Sequence, residues 1–216
     1  MDSATLVADT LAKERNVVEL VWFQYGSKHN RYELQAAVAL ADYFGIPLQQ
    51  VDLSNVGALF KSDLLQSGGA VPEGHYEEES MSRTVVPGRN MIFASILAGR
   101  AWTLEAQEIY LGIHAGDHAI YPDCRPAFAE AMREAIRYGT DERIRFVFPF
   151  INITKAQILT RGLELGVPYE KTRTCYKDQL IACGRCGACQ ERLEAFRFNG
   201  AVDPLAYDTR AALPKR

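Results

Sequence analysis

The residues best equipped for chemistry in this chain are cysteines. Cys183, Cys186 and Cys189 fall at every third position of CGRCGAC, and Cys175 lies eight positions before them. Four thiolates can close one tetrahedral site; zinc favours sulfur in that geometry, and Gly184 and Gly187 ease the tight turns that aim successive sulfurs at one point. The competing readings are an iron–sulfur cluster and free thiols. Bacterial ferredoxins share the two-residue spacing, but their fourth ligand follows the run before a proline, and none follows here. Filled by four protein ligands, a zinc keeps no open position, so its expected role is structural: it folds the C-terminal segment. Cys124, in YPDCRP, stands apart, either as a catalytic thiol or as a small buried hydrophobe.

Other groups sit where ligands gather. Asp117, Tyr121, Asp123 and Arg125 lie between a strand end and the next helix, the place where open α/β sheets bind ligands, although Tyr-Pro-Asp is also a plain turn sequence. Arg89 and Asn90 follow Pro87-Gly88 at a helix start, which suits an anion; the alternative for the arginine is a nearby acid. Lys155, near another helix start, can neutralise developing negative charge or be a solvated surface lysine. His29 follows a strand end beside Lys28, while His114 and His118 are ligand or proton-transfer candidates set against ordinary satisfied loop histidines. The acidic run Glu77 to Glu79 reads as a solvated face.

The elements that must position these groups alternate. Residues 3–14 place Ala4, Leu6, Val7 and Leu11 on one helical face, with Asp2 or Ser3 as the cap. A strand is expected over 16–23, a helix over 30–45 stopped by Gly45, and a strand over 47–53. Residues 64–87 lack periodicity and read as a long loop of the kind that forms lids. A helix over 90–104, a strand over 107–115, a helix over 125–139, a strand over 143–151 and a helix over 154–166 follow. This order implies βαβ crossovers and a mostly parallel α/β sheet, with residues 1–168 as the main domain and 169–216 as a metal-binding segment.

Composition narrows the partners. The 216 residues carry a net charge of −3, so no global basic field favours nucleic acid, and a small substrate is expected. No stretch reaches the roughly 20 apolar residues of a membrane helix, and no secretory signal pattern opens the chain, so a cytoplasmic protein with no membrane partner is expected. An odd number of cysteines, five, argues for metal over disulfides.

YGSKH (25–29), VVPGRN (85–90), HAGDHAIYPDCRPAF (114–128), NITKAQ (152–157) and TCY (174–176) followed by CGRCGAC resemble the ordered motifs of the 7-cyano-7-deazaguanine synthases (QueC), and they run through nearly the whole chain. The resemblance implies a doubly wound domain of the adenine-nucleotide α-hydrolase type, in the PP-loop ATP pyrophosphatase group. It also implies zinc on the four matching cysteines. The implied reaction joins 7-carboxy-7-deazaguanine, ammonia and ATP, with Mg²⁺, to give 7-cyano-7-deazaguanine, the nitrile precursor of queuosine. The substrate carboxylate attacks the α-phosphate, ammonia displaces AMP to leave an amide, and the amide oxygen is activated again before elimination. Members often form homodimers.

The same resemblance distributes roles. Asp2 and Ser3 align with the end of an SGGxDS phosphate loop and, with Arg89 and Asn90, bind the nucleotide. His29, Tyr121, Asp123 and Arg125 bind substrate, and Lys155 and Asp117 act on it. An Asp can accept from the N–H groups of a guanine-like base, and an Arg can hold its carboxylate. Because Met1 to Ser3 match only the last three loop positions, the Ser-Gly-Gly and the strand before it have no counterpart here, and a start upstream of Met1 is expected. The wording before YPDC departs from the family's, which opens the alternative of a variant that stops at 7-amido-7-deazaguanine, and the shortened phosphate loop opens that of a non-catalytic, zinc-stabilised paralogue.

Overall fold

The structure, a computed structural model, describes residues 1–208. Helix α1, Asp2–Ala12, leads to strand β1, Leu20–Gln24, helix α2, Asn30–Phe44, and strand β2, Leu48–Asp52. A single turn, α3 (Ser54–Gly57), precedes a long connection to helix α4, Arg89–Thr103. Strand β3, Glu108–Tyr110, helix α5, Pro126–Gly139, strand β4, Arg145–Val147, and helices α6, Lys155–Glu164, and α7, Gly187–Phe198, complete the order. No helix among the described residues is long and apolar enough to cross a membrane.

The protein is a mixed α/β fold with parallel strands. β1 pairs with β2, Leu20 opposite Leu48, and β3 pairs with β4, Glu108 opposite Arg145. Among the described residues no ladder joins the two pairs. Helix α4 packs on both: Phe93 stacks on Phe23 of β1 at 4.1 Å, while Ala94, Ala98 and Ala101 enter the core formed with Ile109, Phe146 and Met132. The strands are shorter than expected. Val18 is 44% exposed, and Glu19 turns to Arg100 at 2.6 and 2.8 Å, so the apolar run before Leu20 lies outside the ladder.

Three further differences have local causes. Met1, not Asp2 or Ser3, is the N-cap of α1, and no side chain caps it, which frees the Asp2 carboxylate. The 64–87 connection contains a 3₁₀ helix, Glu79–Thr84, and within the acidic run Glu78 accepts from the His75 N–H at 2.8 Å. Helix α7 was not expected inside the cysteine segment, because its first turn is written in glycine and cysteine. The last eight residues of the expected 169–216 segment lie outside the described residues.

The two C-terminal helices set the site. α6 opens with a capping box from Thr154 and Gln157, and its buried stripe runs Lys155, Ile158, Leu159, Gly162, the i, i+3, i+4, i+7 spacing of one helical face. A Cβ at Gly162 would stand 1.7 Å from the Tyr169 hydroxyl, so only glycine lets α6 approach α1 and the Tyr169 turn this closely. α7 buries Arg192, whose guanidinium takes both oxygens of Asp203 at 2.7 and 2.9 Å and also meets Thr172, Thr174 and the Tyr169 carbonyl. That bidentate pair, with all donors occupied, anchors the tail to the helix.

Candidate functional site

A cleft lies where four segments meet: Tyr76 and Met81 from the long connection, Gly116, Asp117 and Tyr121 after β3, Lys155 at the start of α6, and Tyr176, Gly187, Ala188 and Glu191 from the cysteine segment. Lys155 is only 7% exposed, which excludes a solvated surface lysine. Its ammonium donates to Glu191 and lies 3.5 Å from Asp2. Burial, the largest effect, pushes its pKa down, but Asp2, Glu191 and Asp117 together outweigh burial and raise it, so it stays charged.

His114 and Asp117 complete the group. The Gly116 N–H donates to His114 Nδ1 at 3.1 Å, which leaves Nε2 to carry the proton toward Asp117, 3.4 Å away, and Asp2, 3.9 Å away. Burial and the neighbouring Lys155 lower the His114 pKa, so the ring is neutral at pH 7. Burial pushes Asp117 up to about 6 against the opposing pull of Lys155. Asp2 keeps a buried Oδ1 without a partner, an oxygen that fits an incoming N–H group or cation.

A second set of unsatisfied groups borders the cleft. Arg89 forms no ion pair among the described residues; its hydrogen bond is to the Tyr25 hydroxyl at 3.5 Å, and its guanidinium stands 5.8 Å from that ring. A half-buried guanidinium without an ion pair is a ready anion holder. His29, 4% exposed, has Nδ1 buried without a partner, and its ring lies 5.3 Å from that of Tyr176. Tyr121 bonds to the Thr84 hydroxyl at 2.7 Å, which ties the long connection to the loop after β3.

The remaining expected residues are placed as braces. Asp123 accepts from the Asn90 N–H at 2.9 Å, capping α4, while the Asn90 amide donates to the Asp123 carbonyl at 3.0 Å and to Cys124 at 3.3 Å. Arg125 is exposed and donates to the carbonyls of His118 and Ala119. Ser3 is exposed on the first turn of α1, whose backbone meets the end of β3 at Gly112. Cys124 is 2% exposed, and burial raises its pKa strongly, the state of an unreactive buried thiol. The residues that sequence reasoning missed are Tyr176, flagged only by its place in TCY, and Glu191, which nothing in the sequence marks.

The four cysteine sulfurs of residues 175, 183, 186 and 189 are buried and lie within 4.8 Å of one another. Cys183 and Cys189 are 3.9 Å apart at sulfur, against about 3.8 Å for two ligands with ~2.3 Å zinc bonds at tetrahedral angles, and far beyond a disulfide bond. The backbone N–H groups of Lys177, Cys183, Arg185 and Cys186 point at the sulfurs at 3.3–3.4 Å, as thiolates require. The donor set can hold a metal ion and fits zinc, which would tie the strands of this knot together and leave no position open to substrate.

Residues 1–200 match the family model described as queuosine biosynthesis protein QueC. A 7-cyano-7-deazaguanine synthase of Alteromonas mediterranea is 47% identical over 96% of this chain and 94% of its own length. Proteins of the same name from Hahella chejuensis and Caldicellulosiruptor saccharolyticus are 46% and 44% identical, covering 97% and 96% of this chain and 90% and 92% of their own. With the residues of the cleft and the cysteine knot inside the matched span, the chain belongs to the QueC family.

Proposed function

We propose that this chain is an ATP-dependent ligase that turns 7-carboxy-7-deazaguanine and ammonia into 7-cyano-7-deazaguanine. The observation that carries this reading is Lys155, a buried cation in the cleft at a helix start, together with Arg89, a half-buried cation without an ion pair among the described residues. An anionic substrate and a polyphosphate would supply the charges that Arg89 lacks and that Lys155 only partly has. The names of the relatives supply the substrate. The doubly wound sheet is part of the same proposal, supported by parallel pairing in both strand pairs.

In this reading the carboxylate attacks the α-phosphorus and expels pyrophosphate, ammonia adds to the acyl carbon and AMP leaves to give the amide, and a second ATP adenylates the amide oxygen, again expelling pyrophosphate, before loss of AMP and two protons forms the nitrile. Negative charge grows at phosphorus and at the acyl oxygen, and Lys155 with the first turn of α6 meets it. Asp117, with its pKa near neutrality, takes the proton that ammonia sheds. Arg89 holds the anion, and the orphan Nδ1 of His29 accepts from or donates to the ring edge, depending on its tautomer. Tyr121 and Tyr176 offer walls for a planar base. Asp2 and Ser3 face the phosphates from the N-terminus of α1, with Asn90, Asp123 and Arg125 fixing the flanking loops. Mg²⁺, carried in with the nucleotide, would find oxygens on Asp2 and Asp117 and would neutralise phosphate charge. Zinc on the four cysteines has a structural part only. A cytoplasmic homodimer with small-molecule partners, and neither nucleic acid nor membrane, completes the proposal.

The test is mass spectrometry of the product after incubation of the zinc-loaded protein with the carboxylate, ATP, Mg²⁺ and ammonia. The expected result is the nitrile mass with AMP released. An amide mass that persists identifies a ligase that stops one step earlier, and an unconsumed carboxylate overturns the reading.

A further inference from the structure

We propose that Glu191 is a positioning residue for Lys155, and that through it the cysteine-bearing helix α7 sets the geometry of the reacting centre. This rests on the role given to Lys155 above. A lysine ammonium ends a four-carbon stem whose rotamers cost about 2 kcal/mol to fix, so it stabilises developing charge efficiently only when something holds it still. Asp2 lies at 3.5 Å, beyond a close hydrogen bond. Glu191 is in direct hydrogen-bond contact, and both side chains are more than nine-tenths buried, at 7% and 8% exposure.

The carboxylate itself is fixed on its other side. Glu191 Oε1 lies 3.9 Å from His114 Nδ1, and a Cβ added at Gly116 would fall 2.4 Å from the same oxygen. The loop after β3 packs against Glu191 at Gly116, so one oxygen lies against that loop and the other meets Lys155. The neighbouring residue shows the contrast. Arg192 spends its donors on Asp203, Thr172, Thr174 and the Tyr169 carbonyl, all outside the cleft, and serves the fold. Glu191 is one residue earlier on the same helix, two beyond Cys189, and its contact crosses to α6 at the cleft wall. The ammonium is thus held by the close contact to Glu191, with Asp2 farther off at 3.5 Å, at the wall of the cleft.

A double-mutant cycle on kcat and KM of the full-length, zinc-loaded protein tests this, with zinc content and circular dichroism measured on every variant. Glu191→Gln is expected to lower kcat about 10–100-fold with KM for the carboxylate within about twofold, the size of loss seen when a supporting partner of a reactive group is removed. In a Lys155→Ala background the same change is expected to cost less than about twofold, because the group it positions is gone. Equal losses in both backgrounds, or wild-type kcat in Glu191→Gln, overturn the proposal and leave Glu191 a packing residue. Should Glu191→Gln lose zinc, Glu191→Asp decides: a lowered kcat with intact zinc supports positioning, and wild-type kcat refutes it. Wild-type kcat in Lys155→Ala would instead overturn the role of Lys155, which separates that failure from this one.

Discussion

The cysteine knot and the cleft share helix α7, yet they treat polar groups in opposite ways. In the knot the four sulfurs gather at one point and backbone N–H groups point at those of Cys175 and Cys183, a donor set that a single tetrahedral metal would fill. In the cleft the accounting stays open: Arg89 has no ion pair among the described residues, and Asp2 Oδ1 and His29 Nδ1 are buried without partners. Buried polar atoms are normally paired, because each unpaired one costs roughly 1–3 kcal/mol. A fold that closes one region fully and leaves its neighbour unsatisfied has placed its strain where a ligand can relieve it. On the proposed function, the knot serves stability and the cleft chemistry.

The largest test of that division removes the knot. Cys183→Ser takes one ligand from a closed site whose metal, in comparable peptides, contributes on the order of 10 kcal/mol to folding. The expected outcome is zinc-free protein whose chain beyond about residue 172 is cut rapidly by protease while the strand pairs persist, with activity lost because Glu191 and Tyr176 leave the cleft. Full activity in a zinc-free variant would break the comparison.

A smaller effect sharpens it from the side of the cleft. The Asp117 carboxyl has a pKa raised to about 6 chiefly by burial, so its charged, proton-accepting form fills as pH rises through that value and empties below it. kcat/KM should rise roughly tenfold between pH 5 and pH 7, and Asp117→Asn should lower it and flatten this limb. The sign for stability is the reverse. A carboxyl whose folded pKa lies above its unfolded value binds its proton more tightly when folded, so the protein gains stability as pH falls from about 6 toward 4. An acidic limb that survives in Asp117→Asn would move the proton transfer to another group.

Much of the scaffold was legible because periodicity reports burial directly. The face of α5 formed by Ala129, Met132 and Ile136 is such a case, as is the stop of α2 at Gly45, where φ is +66°. The place of Lys155 at a helix start was legible, but not its burial, since a solvated lysine fits that position equally well until α6 packs against α7. The strands were overextended because apolar runs such as 16–23 report hydrophobicity, whereas ladder length depends on the partner strand, distant in sequence. Helix α7 was hidden by its glycines and cysteines, which carry weak helical preference until the knot fixes their first turn. Glu191 was invisible for a different reason: a glutamate in a helix reads as solvated, and only the approach of Lys155, 36 residues away, makes it otherwise.

Hydrogen exchange followed by mass spectrometry, with and without ATP and 7-carboxy-7-deazaguanine, tests the contrast between knot and cleft most directly. The account predicts new protection at the start of α4 around Arg89, in the 114–121 loop and at the start of α6, with exchange at 183–189 already slow and unchanged. Protection that builds at the cysteines while those three segments stay as they were would contradict it.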